Sequence, residues 1–500
     1  MKKGAAMATI ADITTEELLS EADAFIEAHW EEIVREIGTL VAVPSIVDFA
    51  RATAEDPSGP EAHEGLRASV DLAQRLGFKA WDDAGEIGIA DLEGERDEQL
   101  AMICHADVVT PGVGWTSDPW TLERREGFLI GRGVIDDKGP LVISLYCMKF
   151  FQEWCERTGA RLPYTLRMLM GTNEETGTMR DVRYYLEHYP APAFLFTPDN
   201  AFPACYGEKG QFDCAIMSPA IIDGRIVDFT TGDSSTNAVP SQATVTIYGA
   251  DAESLPARDG IEIADVGFGC VQLTATGRGG HASMPQGTLN AIDMLVKYVL
   301  DNRLYTPKDN PNELPEEESY LRLISRIMDS TDGSSIGIDS SDEYFGDLTC
   351  IVGTIHRVPS GSLRITIDIR YPTSTSHDEL LSAFEKLAEE AGATVEVTGG
   401  LPPFLTKPDS PAIQTLASAY REATGFDGEP FTIGGGTYAR EFPCAASFGP
   451  EDPHDEYPSW VGPMHGADEG VSEESLKRAM RVYILTIARL MALDLAKLSK

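Results

Sequence analysis

Between residues 15 and 40 apolar side chains recur at helical spacing (Leu18, Leu19, Ala22, Phe25, Ile26), and the run stops at "LVAVPSI", where Pro44 cannot continue a helix. Short apolar runs then alternate with helical stretches. "LAMIC" (100–104), "YTLRMLM" (164–170) and "AFLFTP" (193–198) read as strands, with a helix over about 139–157 between the first two. Strand–helix–strand alternation predicts an α/β layered domain, built on a mainly parallel sheet flanked by helices.

The texture changes after residue 208. "FDCAIMS", "GRIVDFTTG", "ATVTIYG" and "CVQLTATG" are short β-rich segments punctuated by turns. A helix over 288–301 follows, then an acidic, proline-bearing stretch, "PKDNPNELPEEES". Two strands, "TCIVGTIHRV" and "SLRITIDIRYP", precede a helix over 377–391 and a last strand, "TVEVTGG". This pattern predicts an α+β domain over 209–401, inserted into a first domain whose two parts are 1–208 and 402–500. The α/β texture returns from 402 and ends in an amphipathic helix over 473–497.

Composition narrows the class. Of 500 residues, 42% are hydrophobic and 24% charged, as in soluble globular chains. The charge is unusual: 40 basic against 80 acidic side chains give −40 at pH 7. Such a surface repels nucleic acid and anionic membranes, so neither is expected as a partner. The eight cysteines include no C-x-x-C pair and several lie in apolar runs, which predicts buried thiols and a reducing compartment. The N-terminal residues lack a sustained apolar core, and no run approaches the ~18 apolar residues of a membrane span. The expected location is the cytoplasm.

In open α/β sheets functional groups gather beyond the carboxyl ends of strands. "LAMIC" is followed by His105 and Asp107, "YTLRMLM" by Glu174 and Glu175, and "AFLFTP" by Asp199. Asp136 and Asp137 end another apolar stretch in "GRGVIDDKGP". His465 lies in the glycine-bounded "GPMHGADEG" just before the last helix. Taken singly these residues read blandly: His105 as a core histidine, Glu174–Glu175 as a solvated loop, Asp199 as a turn or cap. Several strand ends carrying the same chemistry read as a site. Imidazoles and carboxylates without thiolates favour two divalent cations sharing a carboxylate over a single structural zinc. Cations about 3.5–4 Å apart can lower the pKa of a water and polarise a carbonyl.

Together "CHADVV", "GRGVIDDKGP", "GTNEETG", "FTPDN", "GGHASMPQGTLNA" and "MHGADEG" resemble the aminoacylase, carboxypeptidase G and carnosinase family of co-catalytic zinc peptidases, in particular its PepV-type dipeptidase branch. The resemblance covers nearly the whole chain. It implies a zinc-peptidase-like catalytic domain with an inserted lid, holding two cations, Zn2+ first with Mn2+ or Co2+ as alternatives. Asp136 would bridge both; His105 and Asp199 would complete one site, Glu175 and His465 the other. Glu174 would be the general base, and Asp107 would orient a ligand imidazole. His281 would donate to the oxyanion from the lid, which must then close over the catalytic domain.

For the substrate, Arg370 matches a family arginine that clamps a carboxylate, although a strand-borne arginine also reads as a structural ion-pair partner. Asn237 resembles a lid asparagine near the substrate. Gly434 and Gly435 in "TIGGGTY" would offer backbone N–H groups to a carboxylate, against the plainer reading of a tight turn. The large insert resembles the dipeptidase branch, in which the lid imitates a partner copy, so a monomer with His281 acting within its own chain is expected. The family also implies a cis peptide bond after Asp136. The implied activity is hydrolysis of unblocked dipeptides, Xaa-His included; the rivals are an N-acyl-amino-acid deacylase or carboxypeptidase on the same scaffold, and a non-catalytic metal-binding relative.

Overall fold

The structure, a computed structural model, describes Ile10, residues 13–306 and residues 316–498. Most of the N-terminal stretch read above and the proline-bearing 307–315 lie outside the described residues. The chain divides into two compact units. One is assembled from the chain up to Gly207, Leu405–Phe431 and Gly436 onward; the other from Glu208–Phe404 and Thr432–Gly435.

In the first unit helix α1 (Thr15–Val41) starts on a capping box, Thr14 with Glu17, and ends three residues short of Pro44. Helix α2 (Pro60–Arg75) leads into the strands β1 (Lys79–Asp83), β2 (Ile87–Leu92) and β3 (Gln99–His105). Helix α3 (Lys138–Thr158), strand β4 (Thr165–Gly171), helix α4 (Arg180–His188) and strand β5 (Phe194–Thr197) follow. The sheet runs β1–β2–β4–β3–β5 and continues with Ala445–Ser447. β3 is parallel to β4 and β5, and Ala445–Ser447 is parallel to β5, whereas β1 and β2 add an antiparallel edge. This is the mixed, mainly parallel α/β sheet that the alternation predicts.

Residues 100–105 are all buried, which explains why β3 reads as an unbroken apolar run instead of an alternating one: helices cover the sheet. Apolar faces of α1 (Trp30, Ile33), α3 (Leu145, Phe151) and the helix Glu473–Met491 (Met480, Ile487) share one core cluster with β3 and β4. That last helix stops at Met491, earlier than the predicted 497, and a short 3-10 turn over Leu495–Lys497 follows. Because the central strands are parallel, their carboxyl ends emerge on one side and deliver their loops there together.

The second unit is an antiparallel eight-stranded sheet in the order Ile261–Gly267, Cys270–Thr276, Gln242–Tyr248, Ile226–Thr230, Thr349–Arg357, Leu363–Tyr371, Gly210–Met217, Thr394–Leu401. Helices Ala291–Asp301, Glu316–Met328 and His377–Glu390 contribute Leu295, Tyr320 and Phe384 to its core beside Val245 and Ile365. The second of these helices was not predicted. Thr432–Gly435, placed by sequence in the 402–500 part, belongs to this unit: the Lys209 N–H donates to the Ile433 carbonyl (2.9 Å), and the Thr432 hydroxyl to that of Tyr344 (2.6 Å). Among the described residues no disulfide forms and no helix is long and apolar enough to cross a membrane.

Candidate metal centre

β3 delivers His105 fully buried at its carboxyl end. Nδ1 lies 2.9 Å from the backbone oxygen of Asp107, an acceptor only, so it carries a proton and Nε2 faces the other side chains. Nε2 stands 2.9 Å from Asp136 Oδ1 and 3.8 Å from Asp199 Oδ2. The other oxygen of Asp136, Oδ2, is 2.8 Å from His465 Nε2, which is also 3.0 Å from Glu175 Oε2. One carboxylate thus turns an oxygen toward each imidazole. Two groups result, His105–Asp136–Asp199 and Asp136–Glu175–His465, each with its donor atoms within 4.8 Å of one another.

Charge explains what this arrangement calls for. Burial and the charges of neighbouring carboxylates push Asp199 and Glu174 well above the usual range, and push Glu175 up. Hydrogen bonds to Asp136 and Glu175 raise His465 to about 11, and those from the imidazoles hold Asp136 low despite its burial. Three carboxylates and two imidazole nitrogens, one carboxylate shared, suit two divalent cations. The residues fit the group.

Each loop that carries these candidate ligands is held by its own supports. The peptide bond between Asp136 and Asp137 is cis. Asp137 Oδ2 accepts the His105 N–H at 3.1 Å, and its carbonyl accepts from Leu141 in the first turn of α3. Asp107, also buried, accepts the Glu175 N–H through Oδ2 (3.1 Å) and places Oδ1 3.6 Å from His105 Nδ1, so one residue steadies a candidate ligand from each group. The loop after β4 rests on Asp181 at the start of α4, which accepts the N–H groups of Thr172 (2.6 Å) and Asn173 (3.0 Å) and the Tyr438 hydroxyl. Gly171 leaves room for that support: a Cβ there would lie 2.1 Å from Tyr438 Oη. Glu174, on this loop, accepts no side-chain hydrogen bond from the described residues.

Sequence reasoning missed a buried pair, Arg132 and Glu469. Glu469 ion-pairs with Arg132 and accepts the N–H groups of Gly133 (3.0 Å) and Ile135 (3.2 Å), while Arg132 donates to the Gly466 carbonyl (3.1 Å). The pair ties the loop carrying Asp136 to the one carrying His465. Its only trace in the sequence is an arginine and a glutamate inside the glycine-rich motifs.

The remaining predicted residues lie in the second unit. Ala238–Val239 pairs with Gly280–His281, which brings Asn237 beside the histidine; the Asn237 carbonyl accepts the Ala282 N–H at 2.9 Å. The Ser283 N–H donates to His281 Nδ1 (3.1 Å), so the proton of the neutral ring resides on Nε2. Burial and the charge of Arg370 lower its pKa and favour that neutral form. Arg370 is buried, and its fork is engaged by Asp368 at 2.9 and 2.8 Å, with a third bond to the Gly434 carbonyl at 3.1 Å. This is the structural pairing weighed above for Arg370, and it fixes the glycine segment. Gly434 is itself required by close approach, since a Cβ would lie 2.6 Å from that of Ser283; Gly435 follows in the same segment.

Comparison with known proteins gives the same direction. The family described as "Peptidase family M20/M25/M40" matches residues 101–489. The "Beta-Ala-Xaa dipeptidase" of Lactobacillus delbrueckii subsp. lactis is 28% identical over 480 residues, covering 93% of this chain and 97% of the relative. Among solved structures, human carnosine dipeptidase 1 aligns over 95% of this chain and all of its own (TM-score 0.56, 15% identity). The di-peptidase Dug1p from Saccharomyces cerevisiae aligns over 95% of this chain and 99% of its own (TM-score 0.57, 11% identity). At these identities the two structures speak for the fold.

Proposed function

The chain belongs to peptidase family M20/M25/M40, and we propose that within it this protein is a metal-dependent dipeptidase acting on unblocked dipeptides, Xaa-His among them. The observation that carries the reading is the pair of ligand groups sharing Asp136, with the uncommitted carboxylate of Glu174 on the loop that supplies Glu175. The name of the Lactobacillus relative supports the substrate class.

His105, Asp136 and Asp199 would hold one divalent cation, and Asp136, Glu175 and His465 the other, zinc before manganese or cobalt. Bound there, the cations supply Lewis acidity and lower the pKa of water. Glu174 takes the proton of the attacking water and returns it to the leaving amine. Asp107 keeps His105 in the tautomer that presents Nε2. His281, with its proton on Nε2, donates to the oxygen that becomes negative in the transition state. The N–H groups of Gly434 and Gly435 bind the substrate's carboxylate, Asn237 lies near the substrate, and Arg370 positions the glycine segment. The protein works as a monomer, with His281 supplied by its own chain.

The test is hydrolysis after chelation and refilling with zinc or manganese, over free dipeptides, N-acetylated dipeptides, tripeptides and N-acyl amino acids. Activity confined to free dipeptides, lost on chelation and restored by refilling, is the expected result. Preference for N-acyl amino acids would make the protein a deacylase instead.

A further inference from the structure

The strand Ala445–Ser447, parallel to β5, sends the chain toward the side on which the ligands gather. There Pro450–Glu451 pairs in parallel with Asn200–Ala201, immediately after Asp199. Asp452 is buried and engaged, 3.1 Å from the Tyr420 hydroxyl and 3.3 Å from Arg478 Nε. Glu451 is half-buried, yet its carboxylate has no hydrogen-bond or ion-pair partner among the described residues. It borders a cavity of about 330 Å³ whose walls include the apolar side chains of Ile135, Tyr457, Val461, Pro463 and Met464. Ile135 directly precedes Asp136 and Met464 directly precedes His465, so the cavity abuts the ligand loops.

A carboxylate withdrawn from water without a partner is costly, and a bound cation removes that cost. In an unblocked dipeptide the ammonium is two bonds from the scissile carbonyl carbon, so its receptor has to lie near the reacting centre, and this cavity abuts two of the loops that carry the candidate ligands. The apolar walls suit the N-terminal side chain. We propose that Glu451 receives the substrate's free ammonium group and is thereby the residue that selects unblocked dipeptides over N-acyl amino acids. An acylated substrate brings no cation and leaves Glu451 unpaired, which works against it. This assignment rests on the dipeptidase reading above.

The experiment compares Ala-Ala with propionyl-alanine, the same molecule without its ammonium, on the full metal-loaded chain. Wild-type protein is expected to prefer Ala-Ala in kcat/KM by about 10- to 100-fold, the worth of one charge-assisted hydrogen bond. Glu451→Gln should erase most of that preference, chiefly by raising KM for Ala-Ala, and leave propionyl-alanine no worse. A Glu451→Gln protein that keeps the wild-type preference overturns the assignment. Should that variant fail to fold, Glu451→Asp, with the charge drawn back by one methylene, is expected to lose part of the preference; an undiminished one overturns the assignment equally. Wild-type protein that favours propionyl-alanine would instead overturn the dipeptidase reading itself.

Discussion

Glu174 and Glu175 are adjacent on one loop and chemically unlike. Glu175 accepts the Val109 N–H (3.3 Å) and faces His465, whereas the Glu174 carboxylate accepts no hydrogen bond from the described residues and is pushed well above the usual range by burial and Asp199. Glu174→Ala is therefore expected to lower kcat by about 10²- to 10⁴-fold, the usual worth of a general base, with both cations still bound by elemental analysis. Near-normal turnover would remove it from that role. Most of the ligand-type residues were legible because they end an apolar run or follow one closely, so that strand ends could be found without knowing the fold, whereas His465 stood out only in its glycine-bounded loop before the last helix. Glu469 was not legible: its work is done on the N–H groups of Gly133 and Ile135, partners more than 300 positions away that no spacing rule connects.

At the scale of elements, α4 is more than packing. Its first turn supplies Asp181, whose carboxyl is pushed up to about 6 by burial while it supports the loop after β4. A carboxyl that holds its proton more tightly when folded adds stability fully below its unfolded pKa, near 4, and loses it as pH rises through about 6. Asp181→Asn cannot ionise, so the stability of wild type relative to this variant should fall by on the order of 3 kcal/mol between pH 4 and 7 in denaturant titrations. A constant difference would mean that Asp181 ionises as an ordinary carboxyl. The long helices and buried strands were readable from period and apolar runs. β1, "KAWDD", was not, because it is a short, partly exposed edge strand rich in charge. Helix Glu316–Met328 escaped because its start merges with the acidic, proline-bearing stretch before it, although its later turns are amphipathic.

For the whole molecule, the net charge of −40 sets how copies meet. Like-charged surfaces repel over a Debye length of roughly 10 Å at moderate salt, which favours the separate chain. Sedimentation or light scattering at 0.15 M salt should return the mass of one chain, 54.3 kDa. A stable dimer would require His281 to be reconsidered as a residue that serves the partner's site. The change from parallel α/β texture to antiparallel β-rich texture announced a second body in the sequence. The return of Thr432–Gly435 to that body did not show, because four residues carry no periodicity and their attachment is made by backbone bonds at Lys209 and by Arg370.

The tie between Arg132 and Glu469 has a consequence for the order of events during synthesis. The chain is made from its amino end and domains generally fold as units as they emerge. His105, Asp136 and Asp199 are therefore made early, yet the unit that holds them and the second candidate group wait until translation has passed His465, after the whole β-rich unit has been made. Glu469, which steadies the Asp136 loop, comes four residues later still. A chain that ends before His465 lacks two of the residues of the second candidate group's side of the site, His465 and the Glu469 that steadies the Asp136 loop. On that reading the proposed centre is completed only when both distant segments have been made, so a chain truncated before His465 is expected to be inactive.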